Sequence, residues 1–234
     1  MDLIQMEERE RIANENRRQL VDTRWHYDQT RGFMLYRASE IFRDDEGKPQ
    51  FVLDEKNSFL FELLCYYFSE DPRFEAMAEA AGAASPSLRK GIMLAGNFGV
   101  GKTWLMKLFQ KNQRQTYYMR TAKQIADDYE KEGAEAAERY TTKFRNPAGD
   151  RSVLLQPYSG LCIDDIGSED YKKHYGNARN VIGDLIESRY SKGETGIWLH
   201  GTTNLTGNQI EEYYGGRVRS RMREMFNFFE LDGK

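Results

Sequence analysis

The segment Gly96-Asn97-Phe98-Gly99-Val100-Gly101-Lys102-Thr103 fits the pattern G-x-x-x-x-G-K-[ST] at every fixed position. Glycines let a backbone take angles that a side chain forbids, so successive N–H groups can point at one centre. A loop of this kind opens a helix whose first amides are unpaired and positively polarised, which suits a phosphate. Lys102 supplies a point charge for β- and γ-phosphates, and the Thr103 hydroxyl is placed for Mg²⁺. An apolar strand precedes the loop, and Trp104, Leu105, Leu108 and Phe109 follow it with helical spacing. Residues 96–104, Trp104 included, are the expected cofactor-binding stretch.

Further along, Leu161-Cys162-Ile163-Asp164-Asp165 is an apolar strand that ends in two acids. Alone, such a pair reads as a turn or a helix cap. Beside the phosphate loop it reads as the second half of a nucleotide site. The strand would aim Asp164 at the metal end of the phosphates, while Asp165 could polarise an attacking water. The separation from the loop leaves room for two strand–helix units of about 30 residues each. The next strand, Ile197-Trp198-Leu199-His200-Gly201-Thr202-Thr203-Asn204, runs from apolar to polar. Ligands of open parallel sheets sit beyond the carboxyl ends of the strands, which puts Thr203 and Asn204 near the γ-phosphate. An amide there can orient water without carrying charge. His200 and Cys162 read as packed strand residues, not as catalysts.

A third group is Gly215-Gly216-Arg217-Val218-Arg219-Ser220-Arg221-Met222-Arg223. On a helix, Val218, Met222, Met225 and Phe226 make one core stripe, flanked by Arg217 and Arg221 on one side and Arg219 and Arg223 on the other. Three readings are open: a solvated face, a γ-phosphate contact to a neighbouring subunit, or contact with nucleic-acid phosphate.

The elements that must position these groups follow from apolar patterning. Strands are expected at 91–95, 116–119, 158–163, 196–202 and 226–231. Helices are expected at 102–112, at 121–143 with Gly133 able to interrupt, and at 178–190. Strands alternating with helices imply a parallel sheet covered on both faces. Upstream, Gln50–Leu53 is a short extended run, and Phe59, Leu60, Leu63, Leu64, Tyr67 and Phe68 form one helical stripe. Tyr117, Tyr118, Tyr129 and Tyr140 lie where DNA contacts could fall, although such aromatics also serve as packing. A turn at 43–49 suggests a boundary between a segment 1–48 and a core 49–234. Residues 1–30 alternate in charge, with Glu7 and Arg11 spaced as a helical ion pair. That stretch reads either as a solvated helix or as a docking arm.

Composition sets outer limits. The 234 residues carry 34 basic and 37 acidic side chains, for a net charge of −3. Bulk charge therefore does not attract nucleic acid over long range, although a local basic patch remains open. No apolar run approaches the ~20 residues of a membrane span. No secretory signal pattern opens the chain, and two distant cysteines make neither a disulfide framework nor a metal cage. A cytoplasmic protein is expected.

Taken in order, GNFGVGKT, LCIDDIG, Arg189-Tyr190, TTNL and GGRVRSRM resemble the motifs of the DnaC/IstB-type AAA+ ATPases. These are the bacterial and phage helicase loaders and their transposon-encoded relatives. The resemblance covers roughly residues 50–231. It implies an α/β P-loop core of AAA+ type, with a five-stranded parallel sheet flanked by helices, no C-terminal lid and a small helical N-terminal segment. It implies ATP with Mg²⁺, and homo-oligomers in which one subunit completes its neighbour's site. By position, Lys102 and Thr103 match Walker A, Asp164 and Asp165 match Walker B, and Asn204 matches sensor 1. Arg221 matches the arginine finger, and Arg217 matches the arginine before it. The implied catalytic residues are Asp165, Asn204 and Arg221. Thr103 and Asp164 are the implied metal ligands, and Arg217 joins the loop in binding nucleotide. The usual AAA+ second acid is Glu; the shorter Asp165 suits a slow, DNA-stimulated ATPase that works as a switch. The implied partners are a replicative helicase and single-stranded DNA. A transposase with duplex DNA, or a nucleotide-gated interaction module with little turnover, are the alternatives.

Overall fold

The computed structural model describes residues 25–55, 57–145, 158–169, 172–174 and 177–231. Three helices come first: α1 (Tyr27–Ile41), α2 (Ser58–Phe68) and α3 (Arg73–Ala80). The chain then alternates through β1 (Gly91–Gly96), α4 (Lys102–Phe109), β2 (Tyr117–Thr121), α5 (Ala122–Glu132) and α6 (Ala134–Tyr140). It continues through β3 (Phe144–Arg145), β4 (Tyr158–Ile166), β5 (Lys172–His174), β6 (Asn177–Arg179) and α7 (Val181–Lys192). It closes with β7 (Leu199–Thr203), α8 (Gly207–Tyr214), α9 (Gly216–Met225) and β8 (Phe226–Leu231).

Five strands form a parallel sheet in the order β2-β4-β7-β1-β8, and the two-residue β3 adds antiparallel to β4. Side chains on a strand alternate between faces. Ile92 and Leu94 of β1 therefore join Cys162, Phe229 and Leu231 in a core covered by α1, α2, α3 and α4. Met93 joins Leu161, Ile163 and Leu199 in a second core covered by α5 to α9. This is the expected parallel α/β P-loop architecture, with β7 lying between β4, which carries the acids, and β1, which leads into the phosphate loop.

Local chemistry explains where the elements depart from their expected bounds. Helix α4 stops at Phe109, because the Asn112 amide donates to the carbonyls of Phe109 at 2.9 Å and Gln115 at 2.7 Å. The expected helix 121–143 is two helices, divided at Gly133 with φ +62°. Thr121 and Gln124 cap α5 reciprocally, each accepting the other's backbone N–H at 3.0 Å. The helix expected from 178 begins at Val181, where the Asn180 side chain caps Gly183 N–H at 3.0 Å. An unexpected hairpin, β5–β6, precedes it. Gly196–Trp198 is a 3₁₀ turn and not the start of β7. Gln50–Leu53 makes no strand, and Phe226 opens β8 instead of closing the arginine helix.

The apolar core runs without a break across the boundary expected near residue 48. Met34, Ala38 and Phe42 pack in the same cluster as Phe61, Leu64, Leu105 and Phe109. Phe42 stacks on Trp104 at 4.5 Å, and Arg37 Nε donates to the Leu108 carbonyl at 3.1 Å. The expected Glu7–Arg11 pair lies outside the described residues.

His200 is fully buried in β7, as a packed strand residue should be. Its Nδ1 accepts the Ile92 N–H at 3.0 Å, and the rings of Tyr67, Phe68 and Tyr117 surround it. Burial first, and the Arg114 charge second, pull its pKa down to about 3. The unfolded chain, with a histidine pKa near ~6.5, then binds more protons than the folded one between these limits. Stability from this site is complete above the unfolded value and drains away as pH falls toward the folded one, by up to about 1.4 kcal/mol per pH unit. His200→Asn keeps an acceptor for Ile92 without a titrating ring. Urea denaturation at pH 7, 6, 5 and 4 should show the wild type losing stability more steeply than the variant. Parallel profiles would refute this.

Candidate active site

The phosphate loop is the turn from β1 into α4. Gly99 (φ +80°) and Gly101 (φ +91°) hold left-handed backbone with open space where a Cβ would stand. Gly96 has a second reason to be glycine. A Cβ there would meet the Leu231 carbonyl at 2.3 Å, so its absence lets β8 close on β1. Lys102 is buried at 5% exposure. Its ammonium donates to the carbonyls of Gly96 and Asn97, both at 2.8 Å, and to Asn204 Oδ1 at 2.7 Å. Burial lowers the Lys102 pKa, and the charges of Asp165 and Asp164 oppose that shift.

The two acids share the site because β4 is irregular. On a regular strand, neighbours point to opposite faces. Ile163 stands opposite Gly201 and Ile166 opposite Thr203, so Asp164 and Asp165 together face the single Thr202. This is a β-bulge, and Asp165 takes φ +56° within it. Asp164 accepts the Thr103 hydroxyl at 3.0 and 3.2 Å and the Thr202 hydroxyl at 2.6 Å. Asp165 N–H donates to Thr202 Oγ1 at 2.9 Å, and Asn204 Nδ2 donates to Asp165 Oδ1 at 3.4 Å. Burial, and then the charge of Asp164, raise the Asp165 pKa; Lys102 and Asn204 oppose the rise.

Lys102, Thr103, Asp164, Asp165 and Asn204 thus form one connected group. Of these, Asp164 is buried and tied in through the Thr103 and Thr202 hydroxyls, while Lys102, Thr103, Asp165 and Asn204 border a cleft of about 930 Å³, lined by residues 97–105, Asp165, Asn204 and Leu231. Its other wall is Gln50, Phe51, Val52, Asp54 and Asn57, a segment that sequence patterning reads only as a short run beside a boundary. The one hint was its apolar pair, Phe51-Val52, next to a polar turn. Phe98 at 83% and Val52 at 67% exposure are apolar side chains facing this space. Trp104 also borders the cleft, flat against Phe42.

Other candidates lie elsewhere. Thr203 is buried and turned from the cleft: it donates to the Ile166 carbonyl at 2.8 Å and accepts Leu205 N–H at 3.1 Å. The expectation of Thr203 beside the γ-phosphate is therefore corrected, since strand alternation turns its side chain to the face opposite that of Thr202. Thr202 is the residue that sequence reasoning missed. Arg217 and Arg221 do not line the cleft of their own chain. Arg217 Nε pairs with Glu187 at 3.2 Å, and the Arg221 guanidinium lies 3.9 Å from the centre of the Tyr190 ring. Of the four tyrosines, Tyr117, Tyr129 and Tyr140 are buried, and Tyr118 is exposed. Both cysteines are free and buried.

No protein-family model matches the chain, and no curated protein matches its sequence. Among solved structures it is similar to the DnaC helicase loader, at 17% identity and a TM-score of 0.42 over 69% of this chain and 90% of that one. It is also similar to AMPPCP-bound DnaA from Aquifex aeolicus, at 18% identity and a TM-score of 0.47 over 79% of this chain. The match spans 50% of the DnaA chain.

Arg189 of the Arg189-Tyr190 pair is fully buried. It donates to the carbonyls of Tyr140 (2.7 Å), Thr142 (2.7 Å), Trp198 (3.1 Å) and Glu194 (3.3 Å), tying α6, α7 and the entry to β7 together. Burial lowers its pKa to about 10, which still leaves it charged at neutral pH. A lysine cannot reproduce this planar fork. Arg189→Lys should therefore cost about 2–3 kcal/mol in urea denaturation. A loss below about 0.5 kcal/mol, the range of neutral surface changes, would reject the clip.

Proposed function

We propose that this protein binds ATP with Mg²⁺ and hydrolyses it slowly, as an AAA+ switch that loads or remodels a replicative helicase on single-stranded DNA. The observation that carries the nucleotide reading is that Lys102, Thr103, Asp165 and Asn204 border one cleft, with Asp164 hydrogen-bonded to Thr103. The residues suit the ligand. Open space at Gly99 and Gly101 lets the loop amides approach a phosphate closely, and the Thr103 hydroxyl and Asp164 carboxylate are oxygen donors of the kind Mg²⁺ takes. Mg²⁺ would supply charge that polarises the phosphoryl oxygens.

The chain's own groups do the rest. Lys102 binds phosphate charge. Asp165 polarises the water, and its raised pKa makes it a better proton acceptor. Asn204 joins Lys102 to Asp165 and can report phosphate contact to the water carboxylate. The helicase-loader reading rests on the motif order of the family it resembles. Arg217 and Arg221, set away from their own cleft, fit a site completed by a neighbouring copy. A heterologous contact of that kind builds rings or open spirals.

Two substitutions separate binding from chemistry. Lys102→Ala should weaken equilibrium binding of a fluorescent ATP analogue with Mg²⁺ by more than tenfold, or about 1.4 kcal/mol. Asp165→Asn should leave that binding intact and lower steady-state turnover by roughly 10²-fold. Unchanged affinity in the first, or turnover within about threefold in the second, would remove the residue from its role. Single-stranded DNA should stimulate the wild type, and purified replicative helicase should co-elute with it. Preference for duplex DNA and a transposase would favour the transposition reading. Tight binding with negligible turnover would favour the interaction module.

Arg221 is expected to act on a neighbour. Arg221→Ala retains the phosphate loop, and Lys102→Ala retains the arginine. Each alone should lose about 10²-fold in turnover, below the 10³–10⁵ seen for arginine fingers in GTPases. Mixing them should restore part of it, because a mixed pair rebuilds one complete site. No recovery at any ratio, with co-assembly demonstrated, would place Arg221 in cis or on DNA.

A further inference from the structure

We propose that Thr202 is the positioning residue that sets both acids of the nucleotide site, an inference that rests on the nucleotide-binding reading above. Its hydroxyl sits at the centre of the β4 bulge, opposite Asp164 and Asp165 at once. A backbone N–H can only donate and an ionised carboxylate only accepts. The one hydroxyl proton of Thr202 therefore goes to Asp164 Oδ1 at 2.6 Å, and its lone pair takes Asp165 N–H at 2.9 Å. Both capacities of one buried side chain are used, each on a different acid.

The two contacts act differently. Toward Asp164, Thr202 works with Thr103, whose hydroxyl reaches the same carboxylate at 3.0 and 3.2 Å. Two donors on one carboxylate fix its rotation and direct its oxygens toward the N-terminus of α4. Toward Asp165, the contact is to backbone. It holds the extra residue of the bulge at φ +56°, a conformation that a side chain other than glycine adopts only when its surroundings compel it. That conformation carries the Asp165 carboxyl to Asn204. Thr202 is itself held between neighbours: it is fully buried, and its backbone pairs with Leu94 of β1, three residues before the loop begins its turn at Asn97. A hydrogen-bonding partner that orients a ligating side chain commonly affects metal affinity or activity by about 10–100-fold when removed.

Thr202→Val keeps the shape and removes the hydroxyl; Thr202→Ser keeps the hydroxyl and removes the methyl. Binding of a fluorescent ATP analogue is titrated with Mg²⁺, and turnover is measured in parallel. For Thr202→Val we expect Mg²⁺-free affinity within about twofold of wild type, a Mg²⁺ half-saturation raised about tenfold, and kcat reduced about tenfold or more. Thr202→Ser should return both near wild type. Equal Mg²⁺ dependence and kcat in Thr202→Val and wild type would overturn the proposal. So would a Thr202→Ser variant as defective as Thr202→Val, which would mark a packing role. If Thr202→Val does not fold, Thr202→Ala carries the same comparison, and failure of both to fold assigns Thr202 to structure alone. A wild type that neither binds the analogue nor responds to Mg²⁺ defeats the nucleotide reading itself. That result is distinct from a working wild type matched by its variant.

Discussion

A buried ammonium organises this molecule. Lys102 lies at the edge of the core, where an isolated charge is costly to keep. Three oxygens meet it, two from its own loop and one from Asn204, and two carboxylates stand near enough to oppose the loss of its proton. Each of these groups comes from a different part of the chain. The loop follows β1, Asn204 follows β7, and the acids end β4. The order β4-β7-β1 sets these three strands side by side, with their carboxyl ends together.

The two faces of the sheet have different tasks. The α1–α4 side anchors the phosphate loop, because α4 packs through Leu105, Leu108 and Phe109 on the aromatic interior of α2. Helix α1 belongs to this anchor: Phe42 underlies Trp104, and Arg37 covers a carbonyl of the last turn of α4. The other side holds the arginine helix. Val218, Met222 and Met225 bury the inner stripe of α9, while Arg217 and Arg221 are matched by Glu187 and Tyr190 of α7. The loop after the acids reaches the same region. Glu169 accepts Gly167 N–H at 2.9 Å and the Tyr214 hydroxyl, and Tyr213 donates to the Glu169 carbonyl. A partly buried chain of hydrogen bonds therefore runs from just after the strand that carries the acids to the turn that begins the arginine helix.

What was legible in the sequence follows from how local each determinant is. The phosphate loop could be read because its glycines answer to their own backbone angles and its lysine and threonine to fixed offsets. The five strands could be read because burial on both faces makes short, continuous apolar runs. The stripe of α9 was visible in Val218, Met222 and Met225. Determinants set by register were not visible. No pattern in LCIDDIG announces that two residues will face one across β7, so sequence reasoning places Thr203 at the site and passes over Thr202. The buried fork of Arg189 depends on carbonyls from α6 and from the entry to β7, distant in the chain, and it reads locally as an ordinary helical arginine. The wall formed by Gln50, Phe51, Val52, Asp54 and Asn57 depends on α1 and α2 folding against α4, so the sequence shows only a short extended run beside a boundary.

The bulge decides where the Asp165 carboxylate lies. A regular strand would direct Asp165 to the face opposite Asp164. The left-handed residue turns the chain, so the Asp165 carboxylate meets Asn204. The turn costs backbone strain on the order of 1–3 kcal/mol, and the Thr202 hydroxyl offsets part of it by pairing the amide that the bulge would leave alone. Placed so, Asp165 is close enough to Asp164 to be raised by its charge and close enough to Lys102 to be restrained by it. A carboxylate between a like charge and an opposite one changes its proton affinity when either neighbour is engaged elsewhere. On the nucleotide reading proposed above, phosphate at Lys102 and metal at Asp164 would alter both neighbours of Asp165 together.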